Sequence, residues 1–289
     1  MEKTVRTANT ARTTRTANAN NTPNHEYSPK QTEKSKSSNA NTKRNTVSFI
    51  LKIALVVCSL LGVALSLINA RRDGYSAWWR RLMYYTGQSN IWIGTNTLSL
   101  LLLPLFKLKN PERWKKRVYI LKYVFTASIT MTGIVFCFLL APFADASYHA
   151  WSPWSYLTHV FSPILGAADF FVDEYRVPLR MKHVFATELP PLIYFSTASV
   201  LGILQVDFGR GEFYPYFFLN YTSPAGVFGF SNQFPFIIGS FYWMTLFALV
   251  MLGIGFLLAK LYNRKQSLRS PSKKTAVKSN AHSTKKATV

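Results

Sequence analysis

The chain has 289 residues, 34 Lys/Arg against 12 Asp/Glu, and 48% hydrophobic residues, giving a formal charge of +22. Charge and grease are segregated into basic ends and long apolar runs, each near the ~20 residues a helix needs to cross a ~30 Å hydrocarbon core. Cys58 and Cys137 lie inside apolar runs and the histidines are scattered, so there is no disulfide framework and no His/Cys set at metal-ligand spacing.

Residues 1–46 carry nine Lys/Arg and three Glu among Thr, Asn, Ala and Ser. They lack the residues that bury a core and are predicted to be a disordered basic tail. This tail is too long for a signal-peptide n-region, and no small-x-small cleavage site follows, so the first apolar run is read as a retained helix. Hydropathy predicts six spans, at 47–69, 85–106, 118–142, 153–172, 183–205 and 235–260. The expected fold class is all-α: a polytopic membrane protein with a six-transmembrane-helix bundle over 47–260. A second disordered basic tail, 261–289, follows it.

Span two opens on "YYTGQSNIWIGTNTL" (84–98), which is unusually polar for a membrane segment. Thr86, Ser89, Asn90, Ile93 and Thr97 recur at helical spacing and share one stripe. That stripe suits either hydrogen-bonded helix packing or the wall of a site. Span four carries His159, with Ser155, Ser162 and Gly166 on the same face. An imidazole exchanges protons near neutral pH, and an intramembrane histidine is costly enough to be read either as functional or as a neutral ring donating one hydrogen bond across the bundle. Spans two and four run in the same direction, so Thr86 and His159 fall in the same outer part of the bundle. A hydroxyl and an imidazole are the minimum parts of an activated oxygen nucleophile.

Asp169 lies ~15 Å deeper than His159 by helical rise and is expected to pair with Lys122 or Lys182. No carboxylate inside a span completes a triad. In span five, Pro190 and Pro191 predict a kink that frees backbone carbonyls for hydroxyls to satisfy. The loop 206–234 is rich in Gly, Pro and aromatics, and is expected either to fold back on the bundle or to lie in the headgroup region, with a lid as its candidate role. It contains the sequon Asn220-Tyr221-Thr222.

With both ends cytoplasmic, the inner segments hold 27 Lys/Arg and the outer ones 5. The positive-inside rule therefore places both termini in the cytoplasm of a cell-membrane protein. Arg71, Arg72, Arg80 and Arg81 in the first outer loop run against it.

Tyr85-Thr86-x-Gln88-Ser89-Asn90 resembles the signature of the androgen-induced integral membrane family and its bacterial relatives. His159-x-x-x-Pro163, Pro190/Pro191 with Tyr194, and "YPYFFLN" (214–220) follow in the same order, and the resemblance covers 47–260. It implies an intramembrane threonine hydrolase of fatty acid esters of hydroxy fatty acids, needing no cofactor or metal. Carried over, the nucleophile is Thr86 and the base His159. Gln88, Ser89, Asn90 and Tyr194 are expected to contact substrate or the oxyanion.

The expected partners are membrane lipids, a lipid-ester substrate, and anionic headgroups held by the basic tails. Two other classes compete: a non-enzymatic scaffold or lipid-binding protein, and a small transporter. The transporter lacks support from any inverted repeat. Specific nucleic-acid binding is not expected, because basic tails of this composition are ordinary for a positive-inside anchor.

Overall fold

The structure, a computed structural model, describes residues 29–143, 150–173, 175 and 177–269, with side chains from 42 to 268 among them. The chain divides into two units, Met1–Asn41 and Thr42–Val289. Of the first, residues 29–41 are described and are helical; the bundle belongs to the second.

The helices are α1 (Pro29–Ile68), α2 (Tyr85–Leu102), α3 (Pro111–Val135), α4 (Pro153–Tyr156), α5 (Ser162–Val172), α6 (Met181–Ala186), α7 (Leu189–Ile203) and α8 (Ser240–Arg269). A π-turn, Phe136–Leu140, extends α3, and a second, Leu157–Phe161, joins α4 to α5. Among the described residues the only sheet-like pairing is an isolated bridge, Phe230 to Ile238.

Four stretches are long and apolar enough to cross a membrane: Thr42–Ile68, Pro111–Phe143, Met181–Ile203 and Ser240–Leu268. The other two expected spans, α2 and the α4–α5 run, are helical but more polar and are not among the four. Half of the apolar window of Pro111–Phe143 is buried, against 22–33% in the other three. The helix α3 is therefore central, packed on α2, α5 and α8.

The first and last helices run past the limits expected for the spans. Helix begins at Pro29 rather than 47, and α8 continues to Arg269 rather than 260. Lys, Gln and Glu are good helix formers, and a nucleated apolar helix propagates into them readily. Pro29 is harmless at a first helical position. The outer parts of the expected tails, 1–28 and 270–289, lie outside the described residues.

At the end away from His159, Lys52, Lys122, Asp169 and Asp173 form a closed quartet. Lys122 Nζ lies 2.7 Å from Asp169 and 2.9 Å from Asp173, and Lys52 Nζ lies 2.9 and 2.8 Å from the same two carboxylates. Asp169 thus meets Lys122, as one of the two expected partners, and Lys52 in place of Lys182. Burial pushes the Asp173 carboxyl up, but Lys122 and Lys52 outweigh it and hold it well below the usual carboxylate range.

Span five breaks where the prolines predict, between α6 and α7. At the break Val184 O accepts from both the Thr187 N–H at 3.0 Å and the Thr187 hydroxyl at 2.6 Å. The loop after α7 does fold back. Its Phe218 ring meets Phe247 of α8 at 4.7 Å, and Ser76 N–H donates to Gly209 O at 2.7 Å. Gly209 has φ +123°, and a Cβ there would lie 2.4 Å from the Tyr75 ring, so only glycine fits. The sequon asparagine is buried, and its Oδ1 accepts from Thr222 N–H at 3.0 Å and from the Thr222 hydroxyl at 2.7 Å. The motif is a turn-forming device, with its amide turned inward.

Candidate active site

Thr86 sits in the first turn of α2, where the leading N–H groups have no intrahelical acceptor. The first backbone bond of the helix runs from Gln88 N to Tyr84 O at 3.3 Å. His159 sits in the π-turn between α4 and α5, and Pro163 explains why the helix widens there. Ser162 N–H bonds to Leu157 O, one residue further back than in an α-helix. In that register Thr158 O would need the N–H of residue 163, and proline has none. Such turns concentrate at functional sites.

Asn90 supplies the missing donor. Its Nδ2 donates to Thr158 O at 3.1 Å and to Thr86 O at 2.9 Å. One amide thereby clamps the backbone beside Thr86 to the backbone beside His159. Gly133 of α3 closes the other side, where a Cβ would lie 2.9 Å from the Pro163 ring and 3.1 Å from His159 O.

These constraints bring Thr86 Oγ1 to 3.2 Å from His159 Nε2. The other ring nitrogen, Nδ1, lies 3.1 Å from the Ser155 carbonyl. A carbonyl can only accept, so Nδ1 carries the proton and Nε2 presents its lone pair to the Thr86 hydroxyl. The Ser155 and Thr158 hydroxyls flank Nδ1 at 3.0 and 3.1 Å. The imidazole is 8% exposed and stacks on Phe136 of the first π-turn, with centroids 3.8 Å apart. A backbone carbonyl thus takes the orienting place that a carboxylate holds in a triad.

Thr86 and His159 both open onto a cavity of about 500 Å³ roofed by the 206–239 loop. Arg81 and Asp73, joined as an ion pair, stand in its wall. Arg210 from the loop donates to Asp73 O at 2.9 Å, and both guanidinium groups lie over the Tyr75 ring, at 4.4 Å for Arg81 and 5.0 Å for Arg210. Arg80 pairs with Asp207 at 3.3 Å. Burial pushes the Asp207 carboxyl up, but hydrogen bonds from Gly209, Gly211 and Ser76, with the Arg80 charge, hold it below the usual range. The two arginines nearest α2 are therefore both held in ion pairs, Arg81 in the cavity wall and Arg80 with the loop.

The four residues expected to touch substrate or oxyanion are elsewhere. Gln88 Nε2 turns back to Leu82 O at 3.1 Å. Ser89 is fully buried and shares a hydrogen bond with Thr132 at 2.9 Å. Asn90 spends its amide on the two carbonyls of the clamp. Tyr194 is buried edge-on against Tyr85, with centroids 5.1 Å apart. None of the four lines the cavity. Helix direction is the reason: only the first-turn residues Thr86 and Gly87 face it, and the rest of the stripe faces α3 and α5. Asp73, which with Asp145 and Asp207 is one of the loop carboxylates the sequence offers, pairs with Arg81 rather than with the imidazole; sequence reasoning missed Arg81 and Phe136, and the charge-rule anomaly at Arg80 and Arg81 was the available signal. Among the described residues no group of three His, Cys, Asp or Glu is placed to hold a metal ion.

Compared with known protein families, curated proteins and solved structures, the chain matches none.

Proposed function

We propose that this chain is a six-span intramembrane ester hydrolase, with Thr86 as nucleophile and His159 as general base, as the family resemblance implies. The observation that carries the reading is the 3.2 Å contact between Thr86 Oγ1 and His159 Nε2 at the wall of a large cavity. Thr86 Oγ attacks the ester carbonyl while His159 Nε2 takes its proton, and the imidazolium then protonates the departing alcohol. The C–O bond to the alcohol breaks and leaves an acyl-threonine. Water attacks that ester, gives its proton to His159, and the proton returns to Thr86 as the acid departs. The N–H groups of Thr86 and Gly87 in the leading turn of α2, with the Arg81 guanidinium, are the donors for the oxyanion.

In this reading α2 and the α4–α5 run complete six spans, both termini are cytoplasmic, and the site lies in the outer half of a cell membrane. The test is fluorophosphonate labelling of purified protein. Wild type should be labelled at Thr86, while Thr86→Ala and His159→Ala should lose the label and ester turnover yet remain folded. Equal labelling of Thr86→Ala would leave a lipid-binding scaffold, the reading the cavity alone favours.

A further inference from the structure

The end of the bundle away from Thr86 carries an open groove of about 440 Å³ between α1, α3 and the segment after α5. Asn45, Ser48 and Phe49 of α1 line it, with Lys115 of α3 and Tyr175. Lys52 Nζ, already bound to Asp169 and Asp173, also donates to Ser48 Oγ at 2.6 Å. The Ser48 oxygen therefore accepts, and its own hydrogen is left to donate. Ser48 is 7% exposed, and nothing among the described residues accepts that hydrogen. The Lys115 ammonium lies 4.6 Å from the centre of the Tyr175 ring and has no carboxylate partner among the described residues. The groove thus presents donors without acceptors.

The charge around it is positive. Asp173 in its wall is neutralised within the quartet, where two lysines face two aspartates. Beyond the quartet stand Lys115, Arg44, which donates to Val172 O at 3.3 Å, and Lys265, within electrostatic reach of Arg44 and Asp173. Against these three, Glu112 accepts from the Tyr175 hydroxyl at 3.3 Å. Phe49, 57% exposed, continues from the groove onto the apolar face of α1. We infer that the groove binds the headgroup of an anionic phospholipid. Its phosphate oxygens accept from the Ser48 hydroxyl and the Lys115 ammonium, and its acyl chains run along α1 beside Phe49. Basic pockets between spanning helices on the cytoplasmic side hold such headgroups. The site belongs to the folded bundle and is separate from the hold of the basic tails on the membrane. It rests on the membrane placement of α1 and α3, and not on ester hydrolysis at Thr86.

The experiment is thermal unfolding of the full-length protein in dodecyl maltoside at fixed ionic strength, titrated separately with phosphatidylglycerol, phosphatidylcholine and glycerol phosphate. With phosphatidylglycerol at about ten times its dissociation constant, the melting temperature should rise by about 3–6 °C. Phosphatidylcholine and glycerol phosphate at the same concentration should each shift it by less than about 1 °C. Lys115→Gln and Ser48→Ala should each weaken phosphatidylglycerol by about 10-fold or more, the scale of a hydrogen bond to a charged group. Lys116→Gln, the same charge change on an exposed neighbour outside the groove, should leave the titration unchanged. Lys115 is held by its ring contact alone among the described residues, so its variant keeps the test if Ser48→Ala does not fold. Every variant retains both tails, so equal titrations of wild type and Lys115→Gln would overturn the site and assign the binding to the tails. An equal rise with phosphatidylcholine or glycerol phosphate would overturn an anionic lipid as the occupant. No rise with phosphatidylglycerol would overturn the site outright.

Discussion

Asn90 has one job that can be separated from chemistry: it holds two carbonyls from two helices at once. Asn90→Leu leaves both without that donor in a buried setting, at about 1–3 kcal/mol. A displacement of Thr86 from His159 by ~1 Å should lower kcat by about 100-fold. Thermal unfolding and ester turnover of the same preparation check both expectations, and a fully active, destabilised variant would show the clamp to be structural only. Gly133→Ala should act from the opposite side, pressing on Pro163 and His159 O for about 1–3 kcal/mol of overpacking. Its cost should appear as lost turnover with the cavity intact. Thr86 and His159 were legible in sequence because an intramembrane imidazole and a polar helix start are both unusual. The role of Asn90 was not, because its partner carbonyl is freed only by a proline on another helix. Arg81 was visible only as a charge out of place.

At the level of elements, the quartet of Lys52, Lys122, Asp169 and Asp173 ties α1, α3 and the end of α5 together at the end away from the site. Asp169→Leu or Lys122→Met alone should destabilise by about 3–5 kcal/mol, because an uncompensated buried charge remains. The double change leaves Lys52 paired with Asp173 and should recover most of the loss in a denaturation series. Equal loss in single and double variants would show the pairing carries no coupling. The pH response has a defined sign. The Asp173 pKa is depressed on folding, so its contribution is fully present above the ordinary aspartate value near ~3.9 and is lost as pH falls below it. Melting temperature should be flat from neutral pH to about 5 and fall below about 4, with a shallower fall in Asp173→Asn. Helix positions and the span-five break could be read from apolar runs and Pro190-Pro191. The π-turns could not, since hydropathy is blind to a one-residue change of register.

Across the whole molecule, the proposed orientation places the ends of α3 and α8 near Glu112 and Lys260 on the cytoplasmic side, and the loop carrying Thr222 outside. In a background with Cys58→Ala and Cys137→Ala, a membrane-impermeant maleimide should label Thr222→Cys in intact cells and label Glu112→Cys only after lysis; the reverse pattern would invert the bundle. That orientation rests on the 27-to-5 bias in Lys/Arg; the Gly, Pro and aromatic content of the loop pointed to its folding back, whereas the contacts that seat it, such as Asp207 with Arg80, follow from no local pattern. One consequence concerns how the protein is made. The helices bearing Thr86 and His159 are the two that are not among the four apolar stretches. Their Thr, Asn, Ser and His groups make solitary partitioning from the translocon unfavourable. In the proposed six-span reading they enter the bilayer only in company, after α1 and α3 are available to receive them. Biogenesis is therefore all-or-none for the site: in a fragment truncated between α2 and α3, α1 should hold the membrane while a cysteine placed in α2 stays open to a membrane-impermeant maleimide, and in the fragment through α5 that cysteine should be protected.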